Sequence, residues 1–327
     1  MLLLAVDMIS TILLPTRILP SYSLIVDINR EVHITVPAIS EMSTRYFFTL
    51  QPCLCKLTAW VFLLGIFHAS PLNADQSTPQ RIITLSPHLA ELVFLLGAGD
   101  QLSAVVEHSD YPLAVVNIPR IGGASGLDME RILSIKPDLV LAWQGGSRET
   151  DIKSIKALGI RVVSINSASI EDIPESLKIL GLLLNKQQRA SALIDDFNED
   201  LKRISEKYKN RPTHRIFIEI SSQPLMGLTN LHPFGAGLEL CGLDNIFSDI
   251  DNAALVTDLE SVLSREVDYV LLRQNTTSDE YVARQDFYRI SDDSIVAFVP
   301  FDENSAFRQT PRLLDAIDNV CSYVDAR

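Results

Sequence analysis

The chain has 327 residues, of which 47% are hydrophobic and 21% charged, and it carries a net charge of −13. That length and apolar fraction support real cores in one large or two modest domains and exclude a disordered chain. The acidic balance excludes phosphate-backbone binding, which needs clustered Lys and Arg to release counterions, so nucleic acid is not a partner.

Residues 1–74 read as an N-terminal extension followed by an export signal. Their four acids (Asp7, Asp27, Glu31, Glu41) balance four bases (Arg17, Arg30, Arg45, Lys56), so the whole negative charge falls on residues 75–327. Arg45 and Lys56 precede the apolar run "LTAWVFLLGIFHA", which gives way to "SPLNADQS", with the small Ala74 before Asp75. A basic flank, a short apolar stretch and a small-residue exit are the order of a cleaved secretory signal, which implies export to an oxidising compartment. A retained transmembrane anchor is the other reading. Met42 makes a more ordinary start for such a signal than Met1. Cys53 and Cys55 lie before the apolar run, where a lipid-attachment cysteine would have to follow it.

Removal of the signal leaves Cys241 and Cys321, an even pair in an oxidising compartment. A disulfide is then the default, with two buried free thiols as the alternative. The bridge would close a loop of about 80 residues and contribute roughly 4 kcal/mol in the chain-entropy picture.

From Arg81 the pattern alternates strand and helix. "RIITL" is a strand, "HLAELVFLLG" a helix stopping at Gly97, "LSAVVE" a strand and "MERILSIK" a helix; then come "DLVLAW" as a strand, "ETDIKSIKALG" as a helix and "RVVSIN" as a strand. Such alternation predicts a parallel sheet covered by helices over an N-terminal lobe at 80–185. A long polar-and-apolar stretch at 186–210 follows. Its apolar residues Ala190, Leu193, Ile194, Phe197, Leu201, Ile204 and Tyr208 fall three or four apart, which predicts one unbroken helix of about 37 Å. A second series occupies 211–327: "RIFIEI" strand, "GAGLELCG" helix end, "LESVLSRE" helix, "DYVLLR" strand, "SIVAFVP" strand and a closing helix "TPRLLDAIDNVCSYV". The fold class is therefore α/β, with two similar Rossmann-like lobes joined by a single long helix and a ligand cleft between them. A packed helical joint restricts lobe movement to small angles.

The two halves echo each other. "MERILSIKPDLVLA" at 129 and "LESVLSREVDYVLL" at 259 align Glu130 with Glu260, Ser134 with Ser264 and Asp138 with Asp268. The "LLGAGDQL" at 95 likewise echoes "LCGLDNIF" at 240. Any helix-strand unit shares some of this pattern, but the common order of both echoes favours duplication.

Catalytic constellations are missing. "GGASG" and "GAG" lack a following Lys-Ser/Thr and form no GxGxxG; His88, His108, His214 and His232 are dispersed; no GxSxG elbow occurs. What remains lies at strand ends, where open α/β sheets bind ligands. Tyr111 and Trp143 supply flat faces with one polar handle each, Phe301 and Phe307 add more face, and Arg308, Asn304 and Asp302 add charge and hydrogen bonds. That mixture suits a large, flat, amphipathic ligand rather than a bare ion. "AWQGG" at 142 then reads as a strand delivering Trp143 to the cleft, with glycines letting the backbone turn away close to the ligand; ordinary core is the other reading for Trp143.

At these residues the chain resembles the periplasmic cobalamin-binding proteins of ABC importers, and more broadly the substrate-binding proteins for corrinoids, haem and ferric siderophores. The likeness covers nearly all of 80–327 and rests on "RIITLSPHLAEL", "SDYP", "LDMERILSIKPDLVLAWQGG", "LELCGLDNIF" and "NVCSYVD". It implies a corrinoid held in the cleft, no catalysis and no cofactor, and a monomer that delivers its ligand to an ABC permease dimer with its ATPase subunits. It implies that Tyr111 and Trp143 face the ligand and that Arg308 makes a polar contact beside it; Asn304, in a loop at Asp302 to Phe307 that aligns only loosely with the family, is a further ligand candidate. Glu130 and Glu260 match the lobe-tip glutamates that dock on the permease, and Cys241 and Cys321 match the family's disulfide. Two departures stand out: Ala124 occupies the place of a common tryptophan, and Met226 that of an aromatic. A haem or ferric siderophore carrier is the rival within the class, and a periplasmic metal-dependent enzyme the rival outside it.

Overall fold

The computed structural model describes residues 78–327 except 292 and 293; the extension and signal read at 1–74 lie outside the described residues. The first part runs β1 (Ile82–Thr84), α1 (Pro87–Leu95), β2 (Leu102–Val105), a 3₁₀ turn (Leu113–Asn117), β3 (Gly122–Gly123), β4 (Gly126–Leu127), α2 (Met129–Ile135), β5 (Leu139–Trp143), α3 (Glu149–Ala157), β6 (Val162–Ile165) and α4 (Asp172–Leu183). Its sheet has the order β2-β1-β5-β6, and every pairing in it is parallel, as the alternation predicts. β3 and β4 form a separate two-residue hairpin.

The next helix, α5 (Gln187–Lys207), has 21 residues, or about 31 Å at the usual rise. It begins and ends within a few residues of the predicted 186–210. Ala190, Leu193, Phe197 and Ile204 form its buried stripe. α4 packs along it; a Cβ on Gly181 would lie 2.5 Å from the Ala190 methyl, so the glycine permits the close approach of the two helices.

The second part contains β7 (His214–Ser222), β8 (Leu225–Leu228), α6 (Pro233–Leu238), β9 (Leu243–Asn245), β10 (Ala254–Val256), α7 (Leu259–Leu263), β11 (Tyr269–Arg273), α8 (Ser278–Phe287), β12 (Arg289–Ser291), β13 (Ser294–Ile295), β14 (Ala297–Phe301), α9 (Glu303–Ala306) and α10 (Arg312–Asp325). Its sheet runs β10-β8-β7-β11-β14, with β9 beside the first half of β7. Unlike the first sheet, this one is mixed. β7 pairs antiparallel with β8 because Gln223-Pro224 turns the chain back after only two residues, and β8 also pairs antiparallel with β10. A two-residue turn can only make a hairpin, whereas parallel neighbours need a long crossover.

The repeat seen in the sequence is a repeat of local chemistry. Asp128 caps α2 by accepting the Arg131 amide at 2.9 Å, and Asp258 caps α7 by accepting the Ser261 amide at 2.8 Å. Lys136 and Glu266 end those helices in left-handed conformations at φ 52° and 54°. Asp138 and Asp268 then accept the amides of Arg81 and Arg215 at 2.9 and 2.7 Å, which ties each unit to the start of its neighbouring parallel strand. Residues that look like surface polar filler therefore fix the same helix-strand unit twice.

One apolar core runs beneath both sheets. It joins Leu89, Leu139 and Leu177 of the first part through Phe197 and Ile204 of α5 to Ile216, Leu271 and Ile317 of the second. α5 is also tied to α10 by polar contacts: Asp318 accepts from Lys207 at 2.8 Å, Tyr208 at 2.7 Å and Arg203 at 3.0 Å. Burial alone would raise the Asp318 carboxyl, but these donors overcome it and hold it at about 2. Cys241 and Cys321 form the disulfide, with Cα atoms 5.9 Å apart, and join the α6 end to α10.

Candidate functional site

Residues beyond the carboxyl ends of the two sheets meet at Arg308. β14 ends at Phe301, next to the end of β11 at Arg273, and α9 follows at once. Arg308, just beyond α9, reaches the first lobe: it donates to the carbonyl of His108 at 3.1 Å and to the Asp110 carboxylate, both beyond the end of β2. It also donates to Asn304 Oδ1 at 3.4 Å. Only 7% exposed, Arg308 is a bridge between the lobes more than an open contact surface.

A second carboxylate completes the bridge. Glu91 on α1 is fully buried, accepts the Thr310 hydroxyl at 2.8 Å, and lies 3.2 Å from Arg312 and 3.7 Å from Arg308. Burial pushes its carboxyl up in spite of these partners. Arg312 continues outward and stacks on the Tyr111 ring, its guanidinium carbon 3.7 Å from the centroid. Tyr111 remains 42% exposed, so one face is held by the protein and the rest is open. Cation–π contact of this kind fixes the ring without burying it.

In the first lobe a cavity of about 210 Å³ lies at the ends of β1, β2 and β5. Leu85, Val106, Leu127 and Trp143 give it apolar walls, with Glu107 and Arg148 at its edge. The turn after Trp143 differs from the sequence expectation. Gly145 turns the backbone at φ 85°, but a Cβ on Gly146 would fall 1.9 Å from the indole, so the turn folds back over the ring and only glycine fits there. The Ser147 hydroxyl accepts the Trp143 amide at 2.9 Å and locks this geometry. The His88 ring meets the indole edge-on at 5.1 Å. Burial first, and the charge of Arg308 second, depress His88 to about 3, so it is neutral at physiological pH. Trp143 is thus partly core and partly cavity wall, which combines the two readings of it.

In the second lobe a cavity of about 260 Å³ lies between the ends of β7 and β11. Its lining is more polar than that of the first: Glu219, Ser221, Ser222 and Gln223 at the end of β7, with Arg273, Thr276 and Arg284 opposite and Ile220, Leu272 and Ala283 between them.

The sequence-derived residues fall into separate groups. Ala124 lines the first-lobe cavity with Trp143. Tyr111, Arg308 and Asn304 belong to the bridge. Met226 sits half-buried on β8 opposite Ser221 and Val256 and lines neither cavity. Phe301 is core, packed on Phe234 and Phe307, and Asp302 caps α9 through the Asn304 and Ser305 amides at 3.2 Å. Glu130 and Glu260 are both exposed in the first turns of α2 and α7, at matching positions, and neither forms an ion pair among the described residues. Glu91, Arg312 and the Glu219–Arg284 pair were missed, since none stands in a local motif. Among the described residues there is no cluster of His, Cys, Asp and Glu able to hold a metal, and no helix long and apolar enough to cross a membrane.

Comparison with known proteins bears on the same residues. Residues 82–291 match the sequence pattern of a family described as periplasmic binding protein. A vitamin B12-binding protein of Pectobacterium atrosepticum is 32% identical over 257 residues, which is 77% of this chain and 91% of that one. The crystal structure of the periplasmic vitamin B12 binding protein BtuF of Vibrio cholerae superimposes with a TM-score of 0.69 at 26% identity, covering 76% of this chain and 98% of that one. The periplasmic heme-binding protein BhuT, in complex with two hemes, shares the fold with a TM-score of 0.68 at 20% identity, covering 75% and 98%.

Proposed function

The chain belongs to the periplasmic binding protein family, and we propose that it captures cobalamin or a related corrinoid in the periplasm and delivers it to an inner-membrane ABC permease, without catalysing a reaction. The observation that carries this reading is the pairing of an apolar, tryptophan-walled cavity in one lobe with a polar cavity in the other, at the ends of two sheets joined by Arg308. A flat molecule with an apolar plane and polar arms fits that division better than a small ion or a peptide. The vitamin B12-binding relatives and BtuF support the ligand class.

In this reading Trp143 and Tyr111 give the ligand its flat contacts. Ala124 leaves room where a larger side chain would close the first-lobe cavity, Arg308 and Asn304 offer polar contacts from the bridge, and Met226 approaches from β8. The lobes at 80–185 and 211–327, joined by the helix at 186–210, move little, because a common core and a buried ionic bridge span them. A preformed site lowers the ordering cost of binding. Glu130 and Glu260, one per lobe, dock the loaded monomer on a permease dimer; exposed ion pairs are individually weak, which suits a carrier that must let go. Export through the signal at 1–74 places the protein where this ligand is met.

Absorption spectra of the mature protein incubated with cobalamin, dicyanocobinamide, hemin and ferrichrome test the reading. We expect the corrinoids to co-elute with the protein. Binding of hemin or ferrichrome alone would transfer the function to the rival carriers.

A further inference from the structure

We propose that the second-lobe cavity is a subsite for uncharged amide or hydroxyl arms of the ligand, and that its cancelled charges exclude carboxylate arms. This rests on the corrinoid reading and sharpens it. The cavity holds two guanidinium groups, and both are already neutralised. Arg284 binds Glu219 at 2.6 Å, with the two side chains only 12% and 7% exposed. Glu219 also accepts the Tyr288 hydroxyl at 2.6 Å, on the same oxygen, Oε2, that takes the Arg284 bond. Arg273 binds Glu303 at 3.2 Å. A second carboxylate, Glu280, lines the cavity and is held there by the Thr277 amide at 2.9 Å and hydroxyl at 3.1 Å.

A carboxylate entering this space meets Glu219 and Glu280 and no unpaired cation. It must take Arg284 from Glu219, which strands a buried anion, compete with Glu303 for the half-exposed Arg273, or lie beside Glu219; each carries a cost at a partly hydrated site. An amide arm escapes these penalties. It donates to lone pairs on Ser222 or Thr276, whose hydroxyl is already oriented by donation to the Arg273 carbonyl at 2.6 Å, and it pairs amide to amide with Gln223. The same logic separates ligand classes: a tetrapyrrole with carboxylate arms has no acceptable place here, and one whose arms are amidated has.

The test compares cobalamin with its monocarboxylic acids, in each of which one side-arm amide is hydrolysed, by calorimetry at pH 7 on the mature protein. We expect at least one isomer to bind about tenfold more weakly than cobalamin, the size of one like-charge contact at a partly hydrated site. Ser222→Lys, at an exposed position, places a free cation beside the cavity and should restore or invert the preference for that isomer. Glu280→Gln, which removes one anion without touching the buried pair, should narrow the gap and serves if the lysine variant is poorly folded. Monocarboxylates that all bind within twofold of cobalamin, or a gap that neither variant narrows, would overturn the inference while leaving corrinoid binding intact. Failure of every corrinoid to bind the wild type would overturn the function and the inference together.

Discussion

Arg308 in the second lobe donates to the backbone carbonyl of His108 in the first, 3.1 Å away, from a position that is 93% buried on the inverse of its 7% exposure. Together with Glu91 and Arg312 it makes the seam between the lobes a buried ionic network rather than an open hinge. Removing one partner of such a network leaves uncompensated charge behind. Glu91→Ala should therefore cost about 3 kcal/mol or more in denaturant unfolding, while Glu91→Gln, which keeps an acceptor for Thr310, should cost less. Equal and small losses would mean that the network contributes little.

Acid sensitivity follows from two histidines, His88 buried and His232 half-buried. Burial, aided by Arg308, holds His88 at about 3, and burial holds His232 at about 4, against 6.5 for an ordinary histidine. Below pH 6.5 the unfolded chain takes up protons that the folded protein refuses, so stability falls with acidification down to the folded values. Each group can contribute up to about 1.4 kcal/mol per pH unit in that window. Unfolding curves at pH 7, 5.5 and 4.5 should show this slope, and His88→Gln should reduce it; an unchanged slope would remove His88 as its source.

Asp318 acts in the opposite range. Held at about 2 against the usual 3.8, its contribution is present above pH 3.8 and disappears as pH falls toward 2. Asp318→Asn should lose about 1 kcal/mol at neutral pH after allowance for solvent screening. The loss should vanish near pH 2, which repeated denaturation measurements would reveal.

Trp143→Ala should weaken ligand binding by roughly 1–3 kcal/mol if the indole stacks on the ligand. Gly146→Ala is a finer test, because its new methyl collides with the indole instead of deleting it. The turn or the ring must move, so affinity should drop with a stability cost of about 1–3 kcal/mol. Full affinity in both variants would return Trp143 to the core.

Charge reversal of Glu130 and Glu260 together should abolish transport while ligand affinity stays the same. Uptake measurements in cells beside calorimetry on the purified variant separate these effects. Transport at the wild-type level would remove both residues from docking.

Much of this was legible in the sequence where the signal is local. Periodicity located the first sheet and α5, and the echo of "MERILSIKPDLVLA" in "LESVLSREVDYVLL" pointed to matched units whose caps at Asp128 and Asp258 now account for it. The antiparallel β8 and the polar α8 escaped, since β8 is a four-residue strand containing Gly227 and α8 has no clear apolar stripe. The bridge was illegible for a different reason. Glu91 and Arg312 lie 221 positions apart and share no motif, so only the meeting of the two sheet ends brings them together. The place of Trp143 at a strand end is legible, but the need for Gly146 comes from the ring it touches, which no pattern of glycines conveys.

Isothermal titration of the mature protein with cobalamin tests the central claim most directly. One saturable site per chain, weakened in Trp143→Ala, is the result expected of a corrinoid held between the two sheet ends. No heat and no bound corrinoid at saturating ligand, from protein that unfolds cooperatively, would contradict it.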